Sequence, residues 1–464
     1  MANLPATLFA SLPPLHEDTK AKLILKAQKV CQETVQNALT MDAQPIESVL
    51  TNPRTRRRAR VRKGVDSINP ALEGMSCYTQ VRASLADVAG FFHLASSTHV
   101  RTFARVLGQT ILDKRTLYRL VERPVLSGSR DPWYSVSIEW AAIEPPLGFA
   151  PRDIVYVECH DEFSFAADGD GRPPRRGWIR CVHSIDLTAC PSLWKTHRLR
   201  RTALHRSGHV FLETDVPGVL DYYHVLIVDP QPRMPKVVFH AVLKQHVMQS
   251  LRLEEHLLLA RAPLPPPSLS SSSSSSVCTL CLAKFGFFGK PRRCRHCQHV
   301  MCKACCQSWR SGAAPDKIRL CLHCATRLLD APPTPPVVQP MNDVRCGATF
   351  TFLSSNRALH VDGGYASQGN TLPTMEEEAT TMMMALPTST YSLHLTQGSA
   401  HQFDLALTMG LSSDALASLA LTTNDVVDDD VDDDDDDDTV VDRDALGRVY
   451  DDVVAFVLDR QKGG

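Results

Sequence analysis

At 464 residues and 43% hydrophobic content, the chain has room for two or three domains with proper cores and too much apolar character to be disordered throughout. The net charge of −1 conceals a division, because Asp425 to Asp452 holds fifteen Asp against Arg443 and Arg448, a stretch of −13, and everything else carries +12. No run approaches the roughly 18 consecutive apolar residues of a spanning helix. Met1 to Pro14 also lacks the basic region and long apolar core of a secretory leader, so a cytoplasmic protein with peripheral membrane contact is expected.

In chain order, residues 1–77 read as a helical and basic lead-in. Apolar residues at helical spacing predict a helix over Asp18 to Leu39. Arg54 to Lys63 then places seven basic residues in ten positions, Arg54, Arg56, Arg57, Arg58, Arg60, Arg62 and Lys63. That run reads as a solvated loop, with anionic membrane contact or nuclear import as the functional alternatives. Ser84 followed by Asp87 opens a capped helix. The period then changes to two: Val136, Ile138 and Trp140 alternate with polar residues, and β-rich runs follow at Ile154 to Val157, Trp178 to Ile185, His209 to Glu213 and Tyr222 to Val228. Lys236 to Ala260 closes the series as one long helix with Phe239, Leu243, Val247 and Leu251 four apart on one face. Helices around an antiparallel sheet make residues 78–260 an α+β domain.

Residues 261–276, rich in Pro and ending in seven serines, read as a flexible linker. Residues 277–329 form a compact cysteine-rich module. Residues 330–442 read as a linker and a mostly disordered acidic region, and 443–464 as an amphipathic C-terminal helix carrying Leu446, Tyr450, Val453 and Val457 on one face. The acidic stretch would compete with anionic lipid for the chain's own basic surfaces, or merely solubilise it.

Cys278 and Cys281, Cys294 and Cys297, Cys302 and Cys305, and Cys321 and Cys324 form four C-x2-C pairs. Eight thiolates supply two tetrahedral zinc sites, and because no coordination position is left open the metals are expected to be structural. A module this small has too little core to fold alone, so metal binding should also be its folding energy. Cys306 reads as a bystander. No Walker loop, Ser/His/Asp order or H-E-x-x-H occurs, so the chain is not read as an enzyme.

Spacing and neighbours resemble the FYVE finger: a four-residue gap between the second and third pairs, the basic run Lys290-Pro291-Arg292-Arg293-Cys294-Arg295, and Ile318-Arg319-Leu320-Cys321 in place of the family's terminal RVC. The resemblance implies cross-braced ligation, with Cys278, Cys281, Cys302 and Cys305 on one zinc and Cys294, Cys297, Cys321 and Cys324 on the other. It further implies that Lys290, Arg292, Arg293, Arg295 and Arg319 bind a phosphoinositide on endosomal membranes while Phe287 and Phe288 insert into the bilayer. All three phenylalanines of Phe285 to Phe288 could equally be core. The sequence departs from the family in lacking WxxD before Cys278, in carrying Arg292 and Arg293 where histidines are paired, and in having Gln298 for Gly. Related fingers without these signatures bind small GTPases instead. A RING-type finger shares the cross-brace, but its C-x-H step is absent.

The strand series and final helix resemble a START-like lipid-binding domain through Asp113, Leu117-Tyr118, Pro151-Arg152-Asp153, Glu158, Gly177-Trp178-Ile179-Arg180, Ser184-Ile185, Cys190-Pro191, Arg206 to Phe211 and Pro217 to Leu220. The resemblance implies a helix-grip fold, a curved sheet wrapped on its last helix around a lipid cavity. Trp140, Tyr156, Trp178, Phe211, Tyr223, Phe239, Val247 and Leu251 are the candidate lining, with a filled core as the alternative. The leading expectation is a membrane-targeted adaptor that binds or transfers a lipid; the rival is a protein-interaction scaffold whose finger holds a GTPase. Nucleic acid is an unlikely partner, because the basic run lacks interleaved aromatics.

Overall fold

The computed structural model describes residues 4–5, 7–124, 132–145, 150–165, 174–229, 236–262, 276–285, 290–310, 312, 317–330 and 350–352. The elements are, in order, α1 (Glu17–Asp42), β1 (Ile46–Thr51), β2 (Arg58–Val65), β3 (Glu73–Arg82), α2 (Leu85–Phe91), α3 (Ser97–Val106), β4 (Thr110–Val121), β5 (Ser135–Glu144), β6 (Arg152–Phe165) and β7 (Arg175–Ser184). Then come α4 (Trp194–His197), β8 (Arg200–Arg201), β9 (Ala203–Leu204), β10 (Ser207–Glu213), β11 (Val219–Asp229), α5 (Lys236–Met248) and α6 (Arg252–Arg261). The cysteine module supplies β12 (Arg292–Arg293), β13 (Val300–Met301), β14 (Cys306–Arg310), β15 (Lys317–Cys321) and α7 (Leu322–Asp330), and β16 (Phe350–Phe352) follows.

An antiparallel sheet in the order β1-β2-β3-β11-β10-β7-β6-β5-β4 organises the first domain. Alternate residues of its strands belong to different packing layers, as a period of two requires. Trp140, Val155, Val157, Tyr223 and Val225 face α1, which lays down Ala27, Val30, Cys31, Val35, Ala38 and Met41 at helical spacing. Trp178, Phe211 and Tyr222 pack under α2, α3 and α6 together with Phe92, Leu253 and Leu257. Ala59, Val61, Met75 and Cys77 take the α5 side, against Phe239, Leu243, Val247 and Leu251. The fold is α+β, with the sheet's inner face wrapped on the final helical segment.

That segment is not one helix. A 3-10 turn over Gln249–Leu251 separates α5 from α6. Helix α2 begins at Ser84 with a full capping box, the Ser84 hydroxyl accepting from the Asp87 amide while the Asp87 carboxylate accepts from the Ser84 amide. The lead-in is also part of the sheet: β3 runs through the expected boundary at 77/78, and β1 and β2 extend it outward. The basic run is not a solvated loop but the turn before β2 and β2 itself. Arg57 binds Glu254 at 3.0 Å, Arg62 binds Asp42, Lys63 lies 3.4 Å from Glu47, and Arg60 stacks 4.4 Å over the Tyr78 ring. The linker over 263–275, the acidic region and the C-terminal helix expected at 443–464 lie outside the described residues.

Asp66 locks α1 to the sheet. Its side chain is fully buried, binds Arg206 through both oxygens and accepts from Asn37 Nδ2 on α1 at 2.8 Å. Burial alone would raise its pKa, but the Arg206 and Asn37 hydrogen bonds outweigh that and hold it below the usual carboxylate range. Asp66→Ala leaves Arg206 buried without its main partner and should cost about 3 kcal/mol or more in urea unfolding of the full chain.

Candidate functional site

The cysteine module folds from its knuckles upward. At the first knuckle the Leu282 amide donates to the Cys278 carbonyl (2.9 Å) and the Cys278 amide to the Ala283 carbonyl (2.9 Å); at the second, Gln298 donates to Cys294 (2.9 Å) and Cys294 to His299 (2.9 Å). Leu282 and Gln298 take left-handed backbone, with φ of 58° and 63°, where a glycine would be unstrained. The Gln298 side chain offsets part of that cost by donating from Nε2 to the Arg295 carbonyl at 2.8 Å. This hydrogen bond supports Gln298 at a position where the FYVE pattern has glycine.

Two groups of four thiols result, Cys278 with Cys281, Cys302 and Cys305, and Cys294 with Cys297, Cys321 and Cys324. Within each, all sulfurs lie within 4.8 Å of one another. The Sγ atoms of Cys281 and Cys302 are 3.6 Å apart and those of Cys297 and Cys321 are 3.8 Å apart. A tetrahedral zinc with arms of about 2.3 Å needs sulfur separations of about 3.8 Å, so both groups fit the ion. Backbone amides favour the thiolate at one cysteine of each group. Burial opposes ionisation of Cys278, yet the amides of Cys281, Cys302 and Leu280 bring its pKa down to about 6, and Cys297, Cys321 and His296 lower Cys294 in the same way. Cys306 belongs to neither group; it is buried opposite Cys321 in the β14–β15 pair.

Around these sites the expected lipid contacts divide. Arg292 and Arg293 form β12, where Arg292 is buried and Arg293 donates from Nη1 to the Gln298 carbonyl at 2.9 Å. The Arg295 amide donates to the Arg319 carbonyl at 2.7 Å, which places these two side by side; Arg295 is half-buried, and Arg319 and Lys290 are exposed. Phe285 packs on the module's core, and Phe287 and Phe288 lie outside the described residues.

The module is docked on the first domain. Leu258 and Leu259 of α6 enter the core that holds Trp309, Met301 and Leu320. Arg54 Nε donates to the Ser308 carbonyl while Nη1 binds Glu255 at 3.2 Å, the Gly312 amide donates to His256 Nδ1 at 3.3 Å, and Arg105 donates to the Gly312 carbonyl at 3.3 Å. A Cβ at Gly312 would stand 2.4 Å from Val106 Cγ2 and 2.9 Å from the Thr102 carbonyl oxygen. Sequence reasoning missed this contact. Its available signal was the acidic pair Glu254-Glu255 in the first turn of a helix that also carries Leu253, Leu257, Leu258 and Leu259.

The first domain holds a cavity of about 170 Å³ between the sheet and α5. Of the expected lining, Tyr156 and Phe239 reach it. The other six lie in packed layers instead: Trp140 and Tyr223 under α1, Trp178 and Phe211 under α2 and α3, and Val247 and Leu251 against β2 and β3. The wall combines aliphatic residues such as Ile154, Val182, Leu226 and Leu243 with polar ones, and it carries charge at Lys114, Glu144, Arg152 and Arg180. Arg180 donates to both oxygens of Glu158, at 2.9 and 3.0 Å. Burial would raise the Glu158 pKa, but Arg180 and Lys114 hold it well below the usual carboxylate range.

Residues 269–330 match the FYVE zinc finger family model. This part of the chain is a FYVE-type zinc finger. Before it, the chain is similar in structure to human StAR-related lipid transfer protein 5, at 11% identity and a TM-score of 0.37, covering 53% of this chain and 100% of that one. A second similar structure is a STAR-related lipid transfer protein fragment from Xanthomonas axonopodis, at 14% identity and a TM-score of 0.30, covering 45% and 97%. No match to the chain is found among curated proteins. Among the described residues, no helix is long and apolar enough to cross a membrane.

Zinc analysis of the purified chain should give two ions per chain, and a strong chelator should remove both with loss of the finger's structure, read by amide exchange over 276–330. Gly312→Val should leave that stoichiometry at two while raising exchange over 252–261, because the added side chain forces the finger off α6.

Proposed function

We propose that the chain is a peripheral membrane adaptor without catalytic activity, in which the FYVE-type finger engages a phosphoinositide-bearing, endosomal membrane surface and the START-like domain binds or transfers a lipid. The observation that carries this reading is the pairing, within one chain, of a basic edge on a metal-built finger with an aliphatic cavity closed by a helix. Lys290, Arg295 and Arg319 give the finger exposed or half-exposed cations near its second metal site, and cations so placed attract anionic headgroups across about one Debye length. An apolar chamber with a few polar groups is the usual form of a small-molecule site.

One observation favours the alternative, a finger that holds a small GTPase or another protein. Arg292 is buried and Arg293 is engaged by the Gln298 carbonyl, so two of the five cations expected on the phosphate are held within the finger.

Co-sedimentation of the full chain with phosphatidylcholine vesicles containing 3 mol% of either phosphatidylinositol or phosphatidylinositol 3-phosphate, a loading of about a few percent, separates the two readings. The adaptor reading expects phosphoinositide-dependent binding that falls severalfold in Arg295→Ala/Arg319→Ala and weakens with salt. Binding to neither vesicle would leave the scaffold reading.

A further inference from the structure

The segment between β7 and β10 carries charge that the first domain does not neutralise. From Leu187 to Leu212 the sequence has five Lys and Arg and no Asp or Glu. Two of the five are engaged: Arg201 binds Asp153 at 2.8 Å, and Arg206 binds Asp66. Lys195, Arg198 and Arg200 remain, and among the described residues none of the three has an ion-pair partner. They surround one aromatic side chain. Leu193 and Leu199 anchor the segment in the α1 layer, while Trp194 is half-buried and stands outside that layer. The Arg200 guanidinium lies 4.1 Å from the centre of the Trp194 ring, and that of Arg198 lies 5.5 Å from it. The turn that brings Arg198 back toward the indole uses left-handed backbone, φ 59°, where a glycine would be unstrained. Across β8 and β6, Arg200 stands opposite Arg152, a cation of the cavity wall, and burial together with Arg200 holds Arg152 below the usual arginine range. The patch thus borders the cavity at Arg152.

We propose that Trp194, Lys195, Arg198 and Arg200 form a second membrane contact, on the first domain, which seats the edge of the cavity at Arg152 against an anionic phospholipid surface. The proposal extends the membrane-adaptor reading above, on which it rests. A guanidinium held against an indole gains a cation–π contact and keeps its charge, and its N–H donors are already set in one plane. Two such forks beside Lys195 suit phosphate oxygens, which a guanidinium meets in pairs. With guanidinium over the ring, the patch presents cations rather than an open aromatic face, so it fits a phosphate surface better than stacked bases. The indole is itself a side chain that settles at headgroup level. No particular headgroup is required, because the cations respond to charge and the indole to the interface.

Co-sedimentation of the full chain with phosphatidylcholine vesicles, alone or with about one-fifth phosphatidylserine, tests the contact, and vesicles bearing phosphatidylinositol 3-phosphate report on the finger separately. Arg295→Ala/Arg319→Ala should leave binding to the phosphatidylserine vesicles measurable. Adding Arg198→Gln/Arg200→Gln to that chain should lower it about tenfold or more, the effect of taking two cations from an anionic surface. Arg198→Lys/Arg200→Lys, which keeps the charge, should retain most of the binding, and Trp194→Ala should lower it severalfold. Thermal unfolding and a zinc content equal to that of the parent chain show that each variant is folded. Equal binding with and without the glutamine substitutions, or none once Arg295 and Arg319 are replaced, overturns the second contact while leaving the finger's phosphoinositide binding in place. Tighter binding of a single-stranded RNA oligonucleotide than of the vesicles, lost with the same glutamine substitutions, overturns it in favour of a nucleic-acid contact. Binding to no vesicle of any composition overturns the adaptor reading and the second contact together.

Discussion

Glu254 and Glu255 are adjacent on α6 and both are almost wholly buried, a placement that would cost several kcal/mol per carboxylate if either were alone. Each has its own arginines. Glu254 takes Arg57 and Arg82, which closes the sheet on the helix; Glu255 takes Arg54, whose other edge binds the Ser308 carbonyl of the finger. One helical turn thus fixes the sheet of the first domain on one side and the zinc finger on the other. Two arginines of the run that a sequence reader would assign to a membrane or a nucleic acid, Arg54 and Arg57, are engaged in holding it.

The same segment ties both ends of the molecule's chemistry to one element. Phe239, Leu243 and His246 of α5 face the cavity, and Leu258 and Leu259 of α6 sit in the finger's core. Between them the 3-10 turn at Gln249–Leu251 is fully buried, with Ser250 hydrogen-bonded to His224 at 3.0 Å on the cavity wall. The finger is therefore part of the first domain's packing as well as a module of its own.

Much of this was legible in the sequence where one physical rule decides the outcome. The C-x2-C spacing encodes two tetrahedral groups outright, and the alternation around Val136 to Trp140 encodes a strand. β1, β2 and β4 were not legible as strands, because β2 hides Ala59 and Val61 beneath Arg58, Arg60, Arg62 and Lys63, and an edge strand such as β4 needs only one half-apolar face. The cavity was legible only in outline. Trp140 and Tyr156 both sit on half-apolar strands, and which of them faces α1 depends on strand register, a tertiary property. The break between α5 and α6 left no mark either, since Gln249-Ser250-Leu251 is compatible with a continuing helix.

β16 adds a last consequence. Phe350 to Phe352 pairs antiparallel with Phe163 to Phe165 at the end of β6, so the chain leaves the first domain at α6, passes through the finger and returns to the same sheet. The finger is thus an insertion closed at both ends rather than a pendant. If its contact with α6 opens, attachment at both ends keeps it near its seat at raised effective concentration. A single cut in either connection would leave the finger attached through the other.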